Sequence, residues 1–410
     1  MKHIFIITAF LLCFFGMTAF GQDMSYYSDE FDRADSSFVE RLEVLQVVKD
    51  ANIKGIGEFY HHALKVLLEK TPDIKDKVDR DATDASARIV CQALGAEEYS
   101  EAAEDLWKAV EYFDVISESN QGLVMQDALT AIGQVGGVEF VPHIVLRLND
   151  FNTQVISDVE TKRRVQRAVV GCISALEALH DISGFRPVFF ASTGWYDGSV
   201  KTMASVALPN IVDDPGDVII EIIQDTANIP AIKYEAWRAM LRTRAPDSSV
   251  SKVAAVALAT GWYYTSPNPT YQKNLSEMRM SAIDTIRQVG AYDSAVYTNL
   301  EKSYSNNFIN SVPNYDEIRK TLSTLSVLGA NSDEGVDLLL KFLRELHARR
   351  RSGPWAQKER QLLQWVIPAL GSTKTQSQDV RLLLTTIQRS QDYTGAEQGW
   401  ARSALREMGN

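Results

Sequence analysis

Apolar side chains recur along this chain of 410 residues with the spacing of one helical face. Between Asp127 and Gly137 the apolar positions are 128, 129, 131, 132 and 135, which follow the i, i+3, i+4, i+7 pattern. Gly136 is expected to end this helix, because a left-handed C-cap costs glycine least. Apolar periodicity resumes at Val138. A second helix therefore follows after a very short turn, and the stretch predicts a helix hairpin.

This pattern returns at intervals of roughly 30–46 residues, which is the range of helical repeats. Further copies occupy residues 85–95, 171–180, 281–291, 320–330 and 361–371. A lone hairpin cannot bury its apolar face, whereas hairpins stacked side by side share a continuous core. No strand-type alternation competes with the helical pattern. The chain is therefore predicted to be all-α, as an α-solenoid of about nine helix pairs.

The second helices of two hairpins support the same register. Phe140-Val141-Pro142-His143-Ile144 is echoed by Phe185-Arg186-Pro187-Val188-Phe189 at an offset of 45 residues. Each proline is expected near the first turn of its helix or at a bend. The first helix of the later hairpin ends with His180 where the earlier one has its glycine.

The motif resembles the HEAT repeat family and related armadillo-type repeats. The residues that carry the resemblance are Ala128, Leu129, Ala131, Ile132, Gly133, Gly136 and Gly137, followed by Val141-Pro142 and the segment 146–150. The resemblance implies a right-handed α-solenoid with a scaffold or protein-binding role. It implies no reaction. His180 and a long insertion at 261–275 depart from the pattern.

The N-terminus has the features of a secretory signal. Lys2 precedes an uncharged apolar run from Ile4 to Phe20, and Ala19-Phe20-Gly21 offers a small-x-small cleavage pattern. Residues 1–21 are therefore predicted to be a signal peptide, residues 22–37 a flexible leader and residues 38–410 the repeat region. The alternative is an uncleaved membrane anchor, although the run is at the short limit for a span. The mature protein is expected in the periplasm or outside the cell.

Charge is distributed unevenly along the chain. Residues 22–150 carry a net charge of −14, residues 151–340 carry −4 and residues 341–410 carry +6, and Lys2 completes the total of −11. This gradient indicates either docking through one end or a solvated surface of drifting composition. Nucleic acid is not an expected partner of an exported acidic chain with a short basic patch. Cys91 and Cys172 are expected to be buried free thiols, with a disulfide as the alternative.

Motif searches reveal no catalytic centre. HExxH, CxxC, P-loop and GxSxG motifs are absent. The best metal-like cluster is Glu58, His61 and His62, but adjacent histidines point to different sides of a helix, so a surface pair is predicted. We therefore expect no catalytic residue, no metal and no cofactor, and we predict that the protein is not an enzyme.

A repeated tetrapeptide is the most unusual local feature. Thr193-Gly194-Trp195-Tyr196 and Thr260-Gly261-Trp262-Tyr263 each follow the second helix of a pair, and Tyr264 extends the second copy. Each Trp could pack over the neighbouring repeat and fix its loop. Alternatively, Trp195, Tyr196, Trp262, Tyr263 and Tyr264 form an exposed aromatic strip on one rim, since Trp and Tyr are frequent binding anchors.

The sequence thus predicts an exported scaffold that binds another protein through a solenoid surface, within a cell-envelope assembly. The alternative is a cell-wall or glycan binder that stacks sugars on the aromatic strip. Contact with a membrane is expected only through an uncleaved N-terminus.

Overall fold

The computed structural model describes residues 25–33, 37–70, 74–113, 122–263, 267–310, 313–352 and 357–409. Every regular element in these ranges is a helix, and none of them contains a strand. The prediction of an all-α protein is therefore confirmed. The chain divides into two compact units, Met1–Ala207 and Leu208–Asn410.

Nine α-helices lie wholly within the described part of the first unit. These are α1 (Ser25–Asp32), α2 (Phe38–Asp50), α3 (Gly57–Lys70), α4 (Lys77–Ala96), α5 (Ala103–Tyr112), α6 (Leu123–Val135), α7 (Val141–Thr153), α8 (Val159–Leu179) and α9 (Phe185–Thr193). Helices α2, α4, α6 and α8 pack on one another in that order, and α3 packs on α5 and α7 on α9. Each even-numbered helix from α4 to α8 also contacts the odd-numbered helix before it. Alternate helices thus form two layers.

The second unit repeats this arrangement. Helix α10 (Gly198–Ile211) spans the division, and it is followed by α11 (Gly216–Gln224), α12 (Pro230–Met240), α13 (Asp247–Tyr263), α14 (Pro269–Val289), α15 (Ser294–Ile309), α16 (Tyr315–Gly329), α17 (Asp333–Ser352), α18 (Gln357–Ser372), α19 (Gln378–Arg389) and α20 (Gly395–Glu407). Helices α12, α14, α16, α18 and α20 form one layer, and α11, α13, α15 and α17 form the other. Alternate helices are therefore neighbours here as well.

Glycines in the first layer allow helix backbones to approach closely. A Cβ added at Gly133 would lie 2.7 Å from the Cα of Ala175, and one added at Gly371 would lie 2.8 Å from the Cα of Ala404. Gly95 approaches the Cα of Ala131 at 3.1 Å in the same way. Gly95 therefore corresponds to Gly133, which lies 38 residues later and inside α6. It does not correspond to Gly136, the glycine that caps α6.

The predicted helix ends are confirmed at two equivalent positions. Gly136 caps α6 with φ +77°, and His180 caps α8 with φ +53°, so both adopt the left-handed conformation. That conformation costs an ordinary side chain about 1–2 kcal/mol. His180 therefore adopts the strained conformation that Gly136 adopts at the equivalent end of α6.

The N-terminal leader differs from its prediction. The signal peptide predicted at residues 1–21 lies outside the described residues. Within the predicted flexible leader, the described residues instead form α1, because Phe31 is fully buried and its ring lies 6.1 Å from that of Phe59. Arg41 Nε also donates to the Phe31 carbonyl at 3.0 Å. Apolar packing attaches α1 to α3, and this hydrogen bond attaches it to α2.

The glycine contacts predict the behaviour of two matched variants. Gly133→Ala should lower the free energy of unfolding by about 1–3 kcal/mol, because its methyl group would meet backbone and force α6 and α8 apart. Gly399→Ala, inside α20 with no atom within 4 Å of the added Cβ, should raise it by about 0.5–1 kcal/mol. Thermal and urea melts measure both. Equal effects of the two substitutions would contradict the proposed role of Gly133.

Candidate functional site

The first Trp-Tyr copy joins two helices of the same layer. It follows α9, and the half-buried Trp195 donates from Nε1 to the Phe151 carbonyl at the end of α7, at 3.0 Å. Tyr196 is 3% exposed, and its hydroxyl donates to Asn152 Oδ1 at 2.9 Å. Asn152 in turn donates from Nδ2 to the Pro187 carbonyl of α9 at 3.0 Å.

This arrangement favours a structural role for the first copy. The Trp195 and Tyr196 rings lie 4.3 Å apart, and Lys162 Nζ lies 5.3 Å from the centre of the Trp195 ring. Burial raises the pKa of the Tyr196 hydroxyl, which is therefore neutral at ordinary pH. The first copy thus packs over the preceding repeat, as one of the two interpretations of the sequence predicts.

The second copy adopts a different backbone. Thr260 to Tyr263 form the last turn of α13, so this copy is not a loop that follows the helix. Trp262 is partly buried, and Tyr263 is 76% exposed. Tyr264, the last predicted site residue, lies outside the described residues. The two copies belong to different units, and a common rim for them stays a prediction.

Arg279 holds the Trp262 end of α13 in place. Its guanidinium carbon lies 4.1 Å from the centre of the Trp262 ring, and its Nη1 donates to the Gly261 carbonyl at 2.8 Å. The same guanidinium contacts both carboxylate oxygens of the fully buried Glu317, at 3.0 and 3.1 Å. Ser303 also donates to Glu317 at 2.9 Å. The buried charge is therefore paired and hydrogen-bonded, as a stable buried carboxylate requires.

An open cleft of about 780 Å³ lies beside Trp262. Its apolar wall consists of Trp262, Pro267, Pro269 and Leu275, and its polar wall includes Gln272, Lys273, Ser276 and Asn310. Ile309, which precedes Asn310, is 79% exposed. The cleft thus combines an aromatic surface, two prolines and several groups that can form hydrogen bonds.

Trp262 and Tyr263 stand out in the sequence as a repeated motif, whereas Arg279 and Glu317 do not. These two residues are 38 positions apart and carry no motif. The position of Glu317 was the one available signal. It precedes the apolar residue Ile318 and lies on the buried face of α16. A carboxylate at a core position indicates a buried cation nearby.

The histidine cluster differs from the predicted surface pair. His61 is buried and its Nε2 lies 2.8 Å from Asp105 Oδ2, whereas His62 is paired with Asp32 at 2.7 Å. Although burial opposes ionisation of Asp105, hydrogen bonds from Lys108 and His61 hold the pKa of this carboxyl below its usual value. Among the described residues, no group of three or more His, Cys, Asp or Glu side chains is placed to hold a metal ion.

Both described cysteines are free and buried, as the sequence predicts. Burial raises the pKa of the Cys172 thiol to about 12, and burial together with the charge of Asp127 raises that of Cys91. Neither thiol therefore has the depressed pKa of a nucleophilic cysteine.

Comparisons with known proteins give little information about function. No protein-family model and no curated protein matches the sequence. Among solved structures, the crystal structure of an engineered protein, a target of the Northeast Structural Genomics Consortium, is similar with a TM-score of 0.30 and 15% identity, over 96% of this chain and 97% of that chain. At this TM-score the similarity carries no conclusion about fold or function. None of the described helices combines the length and apolar character needed to cross a membrane.

The two tryptophans should respond differently to the same substitution. Trp262 Nε1 is buried and has no hydrogen-bond acceptor in the described part of the chain, whereas Trp195 donates to Phe151. Both Trp→Phe variants lose packing area, but only Trp195→Phe loses a hydrogen bond, which is worth about 1 kcal/mol. Trp195→Phe should therefore lower the free energy of unfolding by about 1 kcal/mol more than Trp262→Phe does. Urea melts measure the difference, and an equal loss would contradict the assigned contacts.

The thiols predict a pH dependence of stability. A thiol ionises near pH 9 when unfolded, and folding raises the pKa of Cys172 to about 12. The stability linked to Cys172 is therefore fully present below pH 9 and is lost as pH rises from 9 to 12. Urea melts at pH 8 and pH 10 should show this loss, and Cys172→Ala should reduce its slope.

Thiol labelling provides a second test of the same assignment. At pH 8 Cys91 and Cys172 should resist alkylation in the folded protein and react after unfolding in urea without reductant. Failure to react after unfolding would indicate a disulfide and contradict the assignment of free thiols.

Proposed function

We propose that this protein is an exported scaffold that binds another protein through the surface of a HEAT-like α-solenoid. The observation that carries the proposal is the packing of alternate helices in two layers within each unit. Such layers place equivalent faces of successive helices side by side, and repeat proteins use the extended surface that results for binding. The predicted N-terminal signal supports export to the periplasm or outside the cell.

Several contacts join residues that are about one repeat apart in the sequence, and these contacts support the proposed solenoid. Arg88 Nε contacts Asp127 at 2.7 Å, 39 residues apart, and Trp237 Nε1 donates to Ser281 at 3.1 Å, 44 residues apart. Thr324 donates to the Ile283 carbonyl at 3.2 Å, 41 residues apart. Each contact joins corresponding turns of adjacent helix pairs. About nine right-handed HEAT-like pairs, with irregular pairs at the ends, would account for this spacing.

The cleft beside Trp262 favours a second candidate function. Flat aromatic rings stack on sugars, and amide and ammonium groups such as those of Gln272, Lys273 and Asn310 can bind sugar hydroxyls. An envelope protein would meet cell-wall glycans. Trp195 and Tyr196 contribute less to this candidate, because their polar atoms are already bonded within the protein.

Export and partner capture test the proposed function together. The full chain, with a C-terminal affinity tag, should be recovered from the exported fraction with Gln22 as its first residue. Crosslinking in that fraction should join it to one protein in a fixed ratio, and excess untagged protein should compete. The interaction arises from surface complementarity, so washing with oligosaccharides should not release the partner.

Two outcomes would contradict this proposal. Recovery only in the cytosol with residues 1–21 intact would reject export. Retention on purified cell-wall sacculi, without any crosslinked protein and with a loss of retention in Trp262→Ala, would favour the glycan-binding candidate instead.

A further inference from the structure

An exposed apolar rim surrounds the cleft beside Trp262. Tyr263 and Ile309 are 76% and 79% exposed, although Ile is among the residue types most often buried. Lys302 and Ile309 are seven positions apart on α15 and therefore share one face, and Lys302 Nζ lies 5.9 Å from the centre of the Tyr263 ring. Tyr263 and Ile309 are thus the exposed sequence neighbours of Trp262 and Asn310, which line the cleft.

Three lysines lie in or near this cleft: Lys273 in its lining, Lys302 near the Tyr263 ring and Lys358 at the Asn310 carbonyl. Lys273 lies in its wall with a side chain that is 73% exposed, and Glu277 is its ion-pair partner at 3.7 Å. The contacts of Lys302 and Lys358 in the described part of the chain are with an aromatic ring and with backbone carbonyls, and not with a carboxylate. Lys358 donates instead to the carbonyls of Phe308 and Asn310, the latter at 2.9 Å. The cleft is therefore complementary to a ligand that carries carboxylates.

Side-chain hydrogen bonds hold the two helix ends that border the cleft. Arg279 ties the end of α13 to α16 through Gly261 and Glu317. Lys358 ties the end of α15 to α18. Groups that are already ordered lose little entropy on binding, so a contact there contributes more to affinity than a contact with a mobile surface.

From these observations we infer that the Trp262 cleft is a docking site for an extended, acidic segment of a protein partner. The segment inserts an aromatic or aliphatic side chain between Tyr263 and Ile309, and its carboxylates face Lys273, Lys302 and Lys358. This inference rests on the proposed protein-binding function and assigns its contact site. The exposed Tyr263 and Ile309 favour a peptide over a glycan, because an aliphatic side chain offers no stacking surface to a sugar.

Selection from a displayed library of random 12-residue peptides tests the inference directly. The immobilised bait is the mature full-length chain, and enriched peptides should combine several Asp or Glu residues with one aromatic residue or leucine. Fluorescence anisotropy of an enriched peptide then measures affinity for the variants. Tyr263→Ala/Ile309→Ala should weaken binding about tenfold or more, as expected when central apolar anchors are removed.

Charge and matched controls make the test specific. Lys302→Glu should weaken binding and reduce its dependence on salt, because one favourable charge interaction becomes repulsive. Tyr292→Ala/Leu382→Ala removes apolar side chains that are 59% and 70% exposed elsewhere in the same unit, and Arg402→Glu reverses an exposed charge on α20. Both controls should leave affinity within about twofold of the original value. Melting temperatures confirm that all four variants are folded.

The outcomes separate this inference from the proposed function. Peptides without acidic residues, or affinities that do not change in the cleft variants, would overturn the assignment of the cleft while protein binding at another surface would stand. Binding of neutral cell-wall oligosaccharides that is lost in Tyr263→Ala/Ile309→Ala would overturn the peptide assignment. No enrichment of any peptide would also reject it, and crosslinking would still decide the proposed function independently.

Discussion

Close backbone contact between alternate helices is the constraint on which the structure depends. A single helix hairpin has one apolar face and cannot bury it alone, so its stability comes from the next hairpin. Gly133 and Ala175 bring the backbones of α6 and α8 together, and Gly371 and Ala404 do so for α18 and α20. Side chains such as Leu129, which is fully buried, then fill the space beside each contact. Small residues set the distance, and large ones supply the buried area.

Polar contacts then fix the register that apolar packing leaves free. Ser251 donates to the Gly290 carbonyl at 2.9 Å, Asn299 to the Ala255 carbonyl at 3.1 Å and Ser326 to the Ala369 carbonyl at 2.9 Å. Each bond joins a side chain of one helix to the backbone of a helix about one repeat away. Apolar contacts tolerate small shifts, but a buried donor that loses its acceptor costs about 1–3 kcal/mol. These bonds therefore select one alignment of neighbouring helices.

Local features of the fold could be predicted from the sequence, and long-range pairings could not. The apolar period of the repeats gave the all-α class, and the positions of Gly136 and His180 gave two left-handed helix ends. The buried His61 and the α1 helix were not predicted, because Asp105 and Phe59 stabilise them from distant parts of the chain. A hydropathy pattern reports which face of a helix is apolar. It contains no information about which polar residues meet across two helices.

The two copies of the Thr-Gly-Trp-Tyr tetrapeptide show the same limit of prediction from sequence. In the first copy Gly194 leaves the helix with an extended backbone, which turns Trp195 and Tyr196 back onto α7. In the second copy Gly261 stays helical, so Tyr263 points away from the core and Trp262 packs under Arg279. The same four residues therefore form a largely buried contact in the first copy and an exposed helix end in the second. The backbone conformation at the glycine determines where the rings point.

This contrast bears on the proposed recognition of a protein partner. The Trp195 and Tyr196 polar atoms are bonded within the protein, so a ligand would have to replace those bonds before it gained any contact. Tyr263 needs no such exchange, because its ring is already exposed beside a cleft whose bordering helix ends are held by hydrogen bonds. Binding free energy is greatest where apolar surface is exposed and its surroundings are rigid. On that ground the proposed docking site uses the second copy and not the whole aromatic strip.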